Sequence, residues 1–183
     1  MERRTILRVL AVGAVGGSQA TAQHVHEASA AVDYAAYKPR FFTVKEYEAL
    51  DRLCEIIIPA DGQSPGAHQA QVRYFIDTIL HHSDRQNQQR WHAGLKAVED
   101  DAQASFRMAF RECSAQQQDA IVTRMAQHEE APENELQRFF GPLKRMTVDG
   151  YCLSDVGARV GLGYKGDTSL AEFPGCTHPE HKA

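Results

Sequence analysis

From position 41 onward, apolar residues recur at intervals of three and four, separated by short polar stretches. The first run is Tyr47, Leu50, Leu53, Cys54, Ile57 and Ile58, the spacing of one face of an α-helix. Thr43 and Glu46 have the capping-box spacing, and Phe42 with Tyr47 that of a hydrophobic staple, so the helix starts there. Pro59 ends it, because the residue before a proline is pushed out of the α region. Ser64-Pro65, a cap residue with proline at the first helical position, predicts a restart. Its face would be Ala67, Ala70, Tyr74, Phe75, Ile79 and Leu80. Ser83 with Gln86 predicts the cap of a long helix carrying Trp91, Leu95, Val98, Ala102 and Phe106. Ser114 with Gln117 predicts a fourth, carrying Ala120, Ile121 and Met125. Pro132 opens a fifth, with Leu136, Phe139, Phe140, Leu143, Met146 and Val148, and Gly141-Pro142 should kink it. No stretch alternates as a strand does. The pattern predicts an all-α fold: a single bundle of about five or six helices over residues 41–160. At ~1.5–3 kcal/mol per fully buried Leu, Ile or Phe, such faces can offset backbone ordering without a prosthetic group.

The flanks differ from this body. Residues 23–40 are small and polar with no clear face, and read as an extended arm. His24 and His26 within it are a weak metal candidate and are better read as solvated. Ahead of the arm, residues 1–22 have the order of an export leader: a basic start with Arg3 and Arg4 adjacent, a short Gly-rich apolar stretch, and Ala20-Thr21-Ala22 as an A-x-A cleavage site. The paired arginines and low hydrophobicity resemble the twin-arginine signal. That predicts a periplasmic mature chain beginning near Gln23. Behind the body, Asp155 to Val160 reads as a short helix with Gly161 as its left-handed end. Residues 161–183 form an irregular Gly/Pro-rich tail too poor in apolar side chains to make its own core, so it is either frayed or lies on another surface, that of a partner.

Charge and composition narrow the function classes. A length of 183 residues, 43% hydrophobic, with net charge −4, suits one domain and offers no basic stripe for nucleic acid. No run is long enough to span a bilayer. The four cysteines, at 54, 113, 152 and 176, lack the paired spacing of zinc ribbons, most iron–sulfur sites and c-type haem attachment. Cys54 and Cys113 fall on apolar faces and read as buried small hydrophobes. Cys152 and Cys176 would pair with each other, or one of them with a cysteine of a partner chain, since export favours disulfides. Cys176, His178 and His181 would instead make a metal clip, with Cys152 or His24 as fourth ligand; their spacing fits no established site, and the disulfide is favoured. Gly161 to Gly166 spells GxGxxG, but a helix precedes it and a loop follows, the reverse of a dinucleotide fingerprint. No GxSxG is present.

Several blocks resemble the gluconate 2-dehydrogenase subunit 3 family. They are Ile58-Pro59-Ala60-Asp61, Pro65-Gly66-Ala67, and Phe75-Ile76-Asp77 with Leu80; then Val148-Asp149-Gly150-Tyr151, Gly161-x-Gly163-Tyr164-x-Gly166, and Phe173 to His181. Cys152 departs from the second aromatic that many members carry. The resemblance implies a small, non-catalytic subunit with no cofactor of its own. Its large partner would be a flavoprotein of the glucose–methanol–choline (GMC) type, holding FAD and oxidising a sugar or sugar acid. A multi-haem cytochrome c is a candidate third subunit, taking the electrons to the membrane. The small subunit would carry the large one through twin-arginine export. Tyr151, Tyr164 and Phe173 are then candidate aromatic anchors, with Cys152, Cys176, His178 and His181 beside them; local packing on this chain's own helices is the competing reading. The alternative function is a small periplasmic metal-binding protein or enzyme built on the tail's Cys/His cluster.

Overall fold

The computed structural model describes residues 32–166. Five α-helices carry the fold: α1 Val44–Ile57, α2 Val72–His81, α3 Arg85–Phe106, α4 Ala115–Ala126 and α5 Glu135–Leu153. A 3₁₀ turn, Phe110–Glu112, precedes α4, and a π-helical turn, Gly157–Gly161, follows α5. No strand occurs among the described residues, so the all-α expectation holds. None of their helices is long and apolar enough to cross a membrane. The leader with Arg3, Arg4, Ala20 and Ala22, and the tail residues 167–183, lie outside the described residues.

The described residues from Tyr34 to Gly166 belong to one compact unit. Its hub is α5, which packs against all four other helices and the π turn. Leu143 and Thr147 of α5 are fully buried, with Phe139, Phe140 and Tyr151 nearly so. They meet Leu50, Leu53 and Cys54 of α1, Ile76 and Leu80 of α2, Trp91 and Val98 of α3, and Ile121 and Met125 of α4 in one core. Phe139 stacks edge-on against Trp91, with ring centroids 5.2 Å apart. Gly94 lets α3 approach there, since a Cβ on it would fall 2.1 Å from the Phe139 ring. Cys54 and Cys113 are buried free thiols, as their apolar faces predicted. Burial pushes the Cys54 thiol up to about 12, against the opposing hydrogen bond from Thr147.

The capping boxes Thr43–Glu46 and Ser114–Gln117 both form. Other boundaries shift for local reasons. The third helix is capped by Asp84, whose carboxylate takes the Asn87 N–H at 2.8 Å. Ser83 lies just past the preceding helix and donates its hydroxyl back to the Ile79 carbonyl at 2.9 Å. The fifth helix is capped by Asn134, accepting from the Gln137 N–H at 3.0 Å, so Pro132 stays outside it. Pro142 sits inside α5, and the helix runs on to Leu153. The predicted Asp155–Val160 helix is a π turn instead, with the Leu162 N–H on the Gly157 carbonyl at 2.9 Å. Its left-handed residue is Gly163, not Gly161. The Tyr164 N–H then reaches back to the Ala158 carbonyl, a Schellman-like wrap one residue wider than usual.

The largest correction concerns α2. The helix does not restart at Pro65. Residues 59–71 form a compact corner, and α2 begins only after Gln71, held left-handed at φ 56. The buried face therefore rotates to Val72, Ile76, Asp77 and Leu80, leaving Ile79 exposed. In α5 the same displacement exposes Val148 and buries Thr147, whose hydroxyl donates to the Leu143 carbonyl at 2.8 Å.

Candidate functional site

Carboxylates build the corner after α1. The Glu55 side chain reaches over it, accepting from the Ala60 N–H at 3.0 Å and the His68 N–H at 2.8 Å. Asp61 accepts from the Gln63 N–H at 2.8 Å and the Ser64 N–H at 2.7 Å. Those two N–H groups hold the Asp61 carboxyl below its ordinary value. Gly66 is required by this wrapping, because a Cβ there would lie 2.4 Å from a Glu55 carboxylate oxygen and 2.5 Å from the Ala60 nitrogen. Asp51 fastens the far side, with one oxygen 2.7 Å from His68 Nδ1 and 3.2 Å from Arg73 Nη1. The Asp51 carboxylate thereby ties α1 to both His68 of the corner and Arg73 of α2.

The corner meets the end of α5 through Tyr151. Its hydroxyl donates to the Pro65 carbonyl oxygen at 2.8 Å. Tyr151 is only 6% exposed, so it packs on its own chain and supports the surface from beneath. The π turn folds back over it. Gly157 lies against the Tyr151 carbonyl and Gly161 against its hydroxyl, too close for a Cβ at either. Ser154 bridges them, donating to the Tyr151 carbonyl and accepting from the Gly157 N–H, each at 2.8 Å. The resemblance blocks at 58–67, 148–151 and 161–166 thus converge on one end of the molecule.

That end carries an open apolar face. A groove of about 200 Å³ runs between α2 and α5, lined by Tyr34, Tyr74, Phe75, Ile79, Gly150 and Leu153 among others. Gly150 permits the close approach of the two helices, since a Cβ on it would sit 2.7 Å from the Phe75 ring. Leu153 is 75% exposed at the groove's rim. Beyond it, from the turn packed on the same end of α5, Val160, Leu162 and Tyr164 point outward, the last two 63% and 51% exposed. Large apolar side chains clustered in this way mark interaction surfaces.

Of the residues singled out by sequence, Tyr151 and Tyr164 are thus brought to one end, one buried and one on the surface. Cys152 beside them is a half-buried free thiol, and its expected partner Cys176 lies outside the described residues. Phe173, Cys176, His178 and His181 lie outside the described residues. Among the described residues no three His, Cys, Asp or Glu side chains come together as a metal site would require.

Sequence reasoning missed Asp77. This fully buried carboxylate on α2 takes four donors from the arm: the Tyr37 hydroxyl at 2.5 Å and the N–H groups of Arg40, Phe41 and Phe42 at 2.8, 3.1 and 3.0 Å. The available signal was an acid on an apolar stripe between Ile76 and Leu80, because a buried charge requires partners. The arm is accordingly seated rather than extended over residues 34–42, with Tyr34 and Tyr37 stacked edge-on against Tyr74 at 5.1 and 4.7 Å.

A family model described as gluconate 2-dehydrogenase subunit 3 matches residues 44–174. No curated protein and no solved structure matches the chain.

Proposed function

The chain belongs to the gluconate 2-dehydrogenase subunit 3 family, and from that premise we propose that it is the small, non-catalytic subunit of a GMC-type flavoprotein dehydrogenase. It binds an FAD-containing large subunit and carries it through twin-arginine export to the periplasm. The large subunit performs the oxidation of a sugar or sugar acid with its flavin, and a multi-haem cytochrome c receives the electrons. The contribution of this chain is a rigid helical body with one face prepared for another polypeptide.

The observation that carries the reading is the exposed apolar end of α5 and its turn. Leu153 at the end of α5, and Leu162 and Tyr164 beyond a turn packed on Tyr151, are exposed in the part of the chain that the family match covers. Interface cores are enriched in aromatic and large apolar side chains of this kind. The adjacent arginines Arg3 and Arg4 and the Ala20–Ala22 cleavage pattern support the export role.

The test is co-expression with a GMC-type flavoprotein large subunit from the same source. The full chain should co-purify with a flavin-bearing subunit and deliver it to the periplasmic fraction. Deletion of residues 162–183 should weaken the association, and replacing Arg3 and Arg4 by Lys should keep both chains in the cytoplasm. A large subunit that is exported and purified equally well without this chain would contradict the reading.

A further inference from the structure

The seated arm closes a second cavity, of about 530 Å³, against the start of α1. Tyr34, Tyr37 and Lys38 line it from the arm, Tyr47 and Glu48 from α1, and Arg73 from α2. Its size is that of a small-molecule site. The arm wall is fixed, because Asp77 clasps the Tyr37 hydroxyl and the backbone N–H groups of residues 40–42.

Most polar side chains around this cavity are spent within the protein. Tyr37 donates to Asp77, and Glu48 pairs with Arg111. Arg73 Nη1 lies 3.2 Å from Asp51, and its guanidinium covers the Tyr47 ring at 4.9 Å. Two groups stand apart. Lys38 is exposed and has no partner among the described residues. Tyr47 is only 7% exposed, yet its hydroxyl has no hydrogen-bond partner among the described residues. A phenol so deeply buried normally finds one. The hydroxyl is reached from outside rather than sealed in, and the cavity is the space that Tyr47 lines. Burial pushes its pKa up, so it remains a protonated donor.

These unmet groups define the complement. Both are donors, and one is cationic. Glu48, the one acid among the lining residues, is neutralised by Arg111. An anion that accepts one hydrogen bond from a phenol and one from an ammonium is matched by the two oxygens of a carboxylate. The rest of the wall is aromatic, with Tyr34, Tyr37 and Phe42, and suits a planar apolar body. We propose that the cavity between the arm and α1 binds a small aromatic carboxylic acid, its carboxylate on the Tyr47 hydroxyl and the Lys38 ammonium and its ring against the aromatic wall. The site is independent of the reading given under Proposed function.

The experiment titrates the purified full chain with benzoate and 2-naphthoate and follows amide resonances by NMR. Acetate supplies the charge without the ring, benzyl alcohol the ring without the charge, and inorganic phosphate a different anion. The aryl carboxylates should shift residues 34–48 and Arg73 saturably, and each control should bind about tenfold more weakly or worse. Tyr47→Phe should weaken aryl carboxylate binding about tenfold, the loss of a hydrogen bond to a charged group. Lys38→Met should weaken it about threefold, as for an exposed ion pair. Because the Tyr47 hydroxyl has no internal partner, Tyr47→Phe should melt no lower than the wild type. Aryl carboxylate shifts scattered over the surface, affinity unchanged in Tyr47→Phe, or phosphate binding as tightly as benzoate would each overturn the proposal. A Tyr47→Phe chain that melts well below the wild type would also overturn it, since the hydroxyl would then serve the fold.

Discussion

The Tyr151 hydroxyl donates to the Pro65 carbonyl oxygen at 2.8 Å, joining positions 86 residues apart. One side chain thereby ties the corner after α1 to the end of α5, and the π turn closes over it through Gly157 and Gly161. Tyr151→Phe removes only the hydroxyl and leaves the Pro65 carbonyl without this donor, a loss of about 1 kcal/mol. Tyr151→Ala also empties the space under the turn and should cost ~3–5 kcal/mol, as large-to-small aromatic changes do. Urea denaturation of the two variants separates the hydrogen bond from the packing.

Two glycines four positions apart should respond differently to the same change. A Cβ on Gly66 would press on the Glu55 carboxylate and, at 2.5 Å, on the Ala60 backbone nitrogen, which cannot swing away. Gly66→Ala should therefore lose about 1–3 kcal/mol, the range of overpacking. Nothing lies within 4 Å of a Cβ on Gly62. Gly62→Ala should stay within about 0.5 kcal/mol of the parent. Thermal melts of the pair provide the comparison.

The fold class and most of the core were legible from apolar spacing. At Thr43 and Ser114, where α1 and α4 begin, the expected caps form and most of each expected stripe is buried. Ser64-Pro65 misled because backbone N–H groups around it, of Ala60, Ser64 and His68, are spent on Glu55 and Asp61 rather than on a helical ladder. That tertiary closure rotated the α2 face and placed Asp77, a polar residue in the periodic pattern, at its centre. The Tyr37–Asp77 hydrogen bond spans 40 residues, and periodicity is blind to such a pair. The converging end of the molecule was legible as separate blocks. Their meeting on Tyr151 was not, since Pro65 and Gly161 reach it by folding rather than by spacing.

The clasp has an alkaline signature. Burial and the Asp77 carboxylate push the Tyr37 hydroxyl up to about 12 from an ordinary value of 10.0. Between about pH 10 and pH 12 the unfolded chain releases this proton while the folded chain holds it. The associated stability is complete below pH 10 and is lost as pH rises toward 12. Denaturation midpoints across this range should fall more steeply for the wild type than for Tyr37→Phe. Parallel slopes would contradict it.

An acid signature comes from Glu46. Burial pushes its carboxyl up, but the Thr43 N–H, the His92 ring and the Thr43 hydroxyl together outweigh burial and leave it below the ordinary 4.5. A depressed carboxyl stabilises the fold above its unfolded value, and that contribution is lost as pH falls through the lower, folded one. Glu46→Gln keeps an acceptor at the capping position and removes the titration. Its stability should decline less on acidification below about pH 4.5 than that of the wild type, as followed by circular dichroism.

The docking face itself is tested most directly by placing a charge in it. Leu153 stands 75% exposed at the rim of the α2/α5 groove and buries little in the free chain. Leu153→Glu should leave helicity and melting close to the parent, within about 0.5 kcal/mol. In pull-downs of the tagged chain co-expressed with a GMC-type flavoprotein, the proposed function predicts that the wild type brings down flavin absorbance and that Leu153→Glu brings down little or none. Equal flavin recovery from both would contradict the assignment of this face.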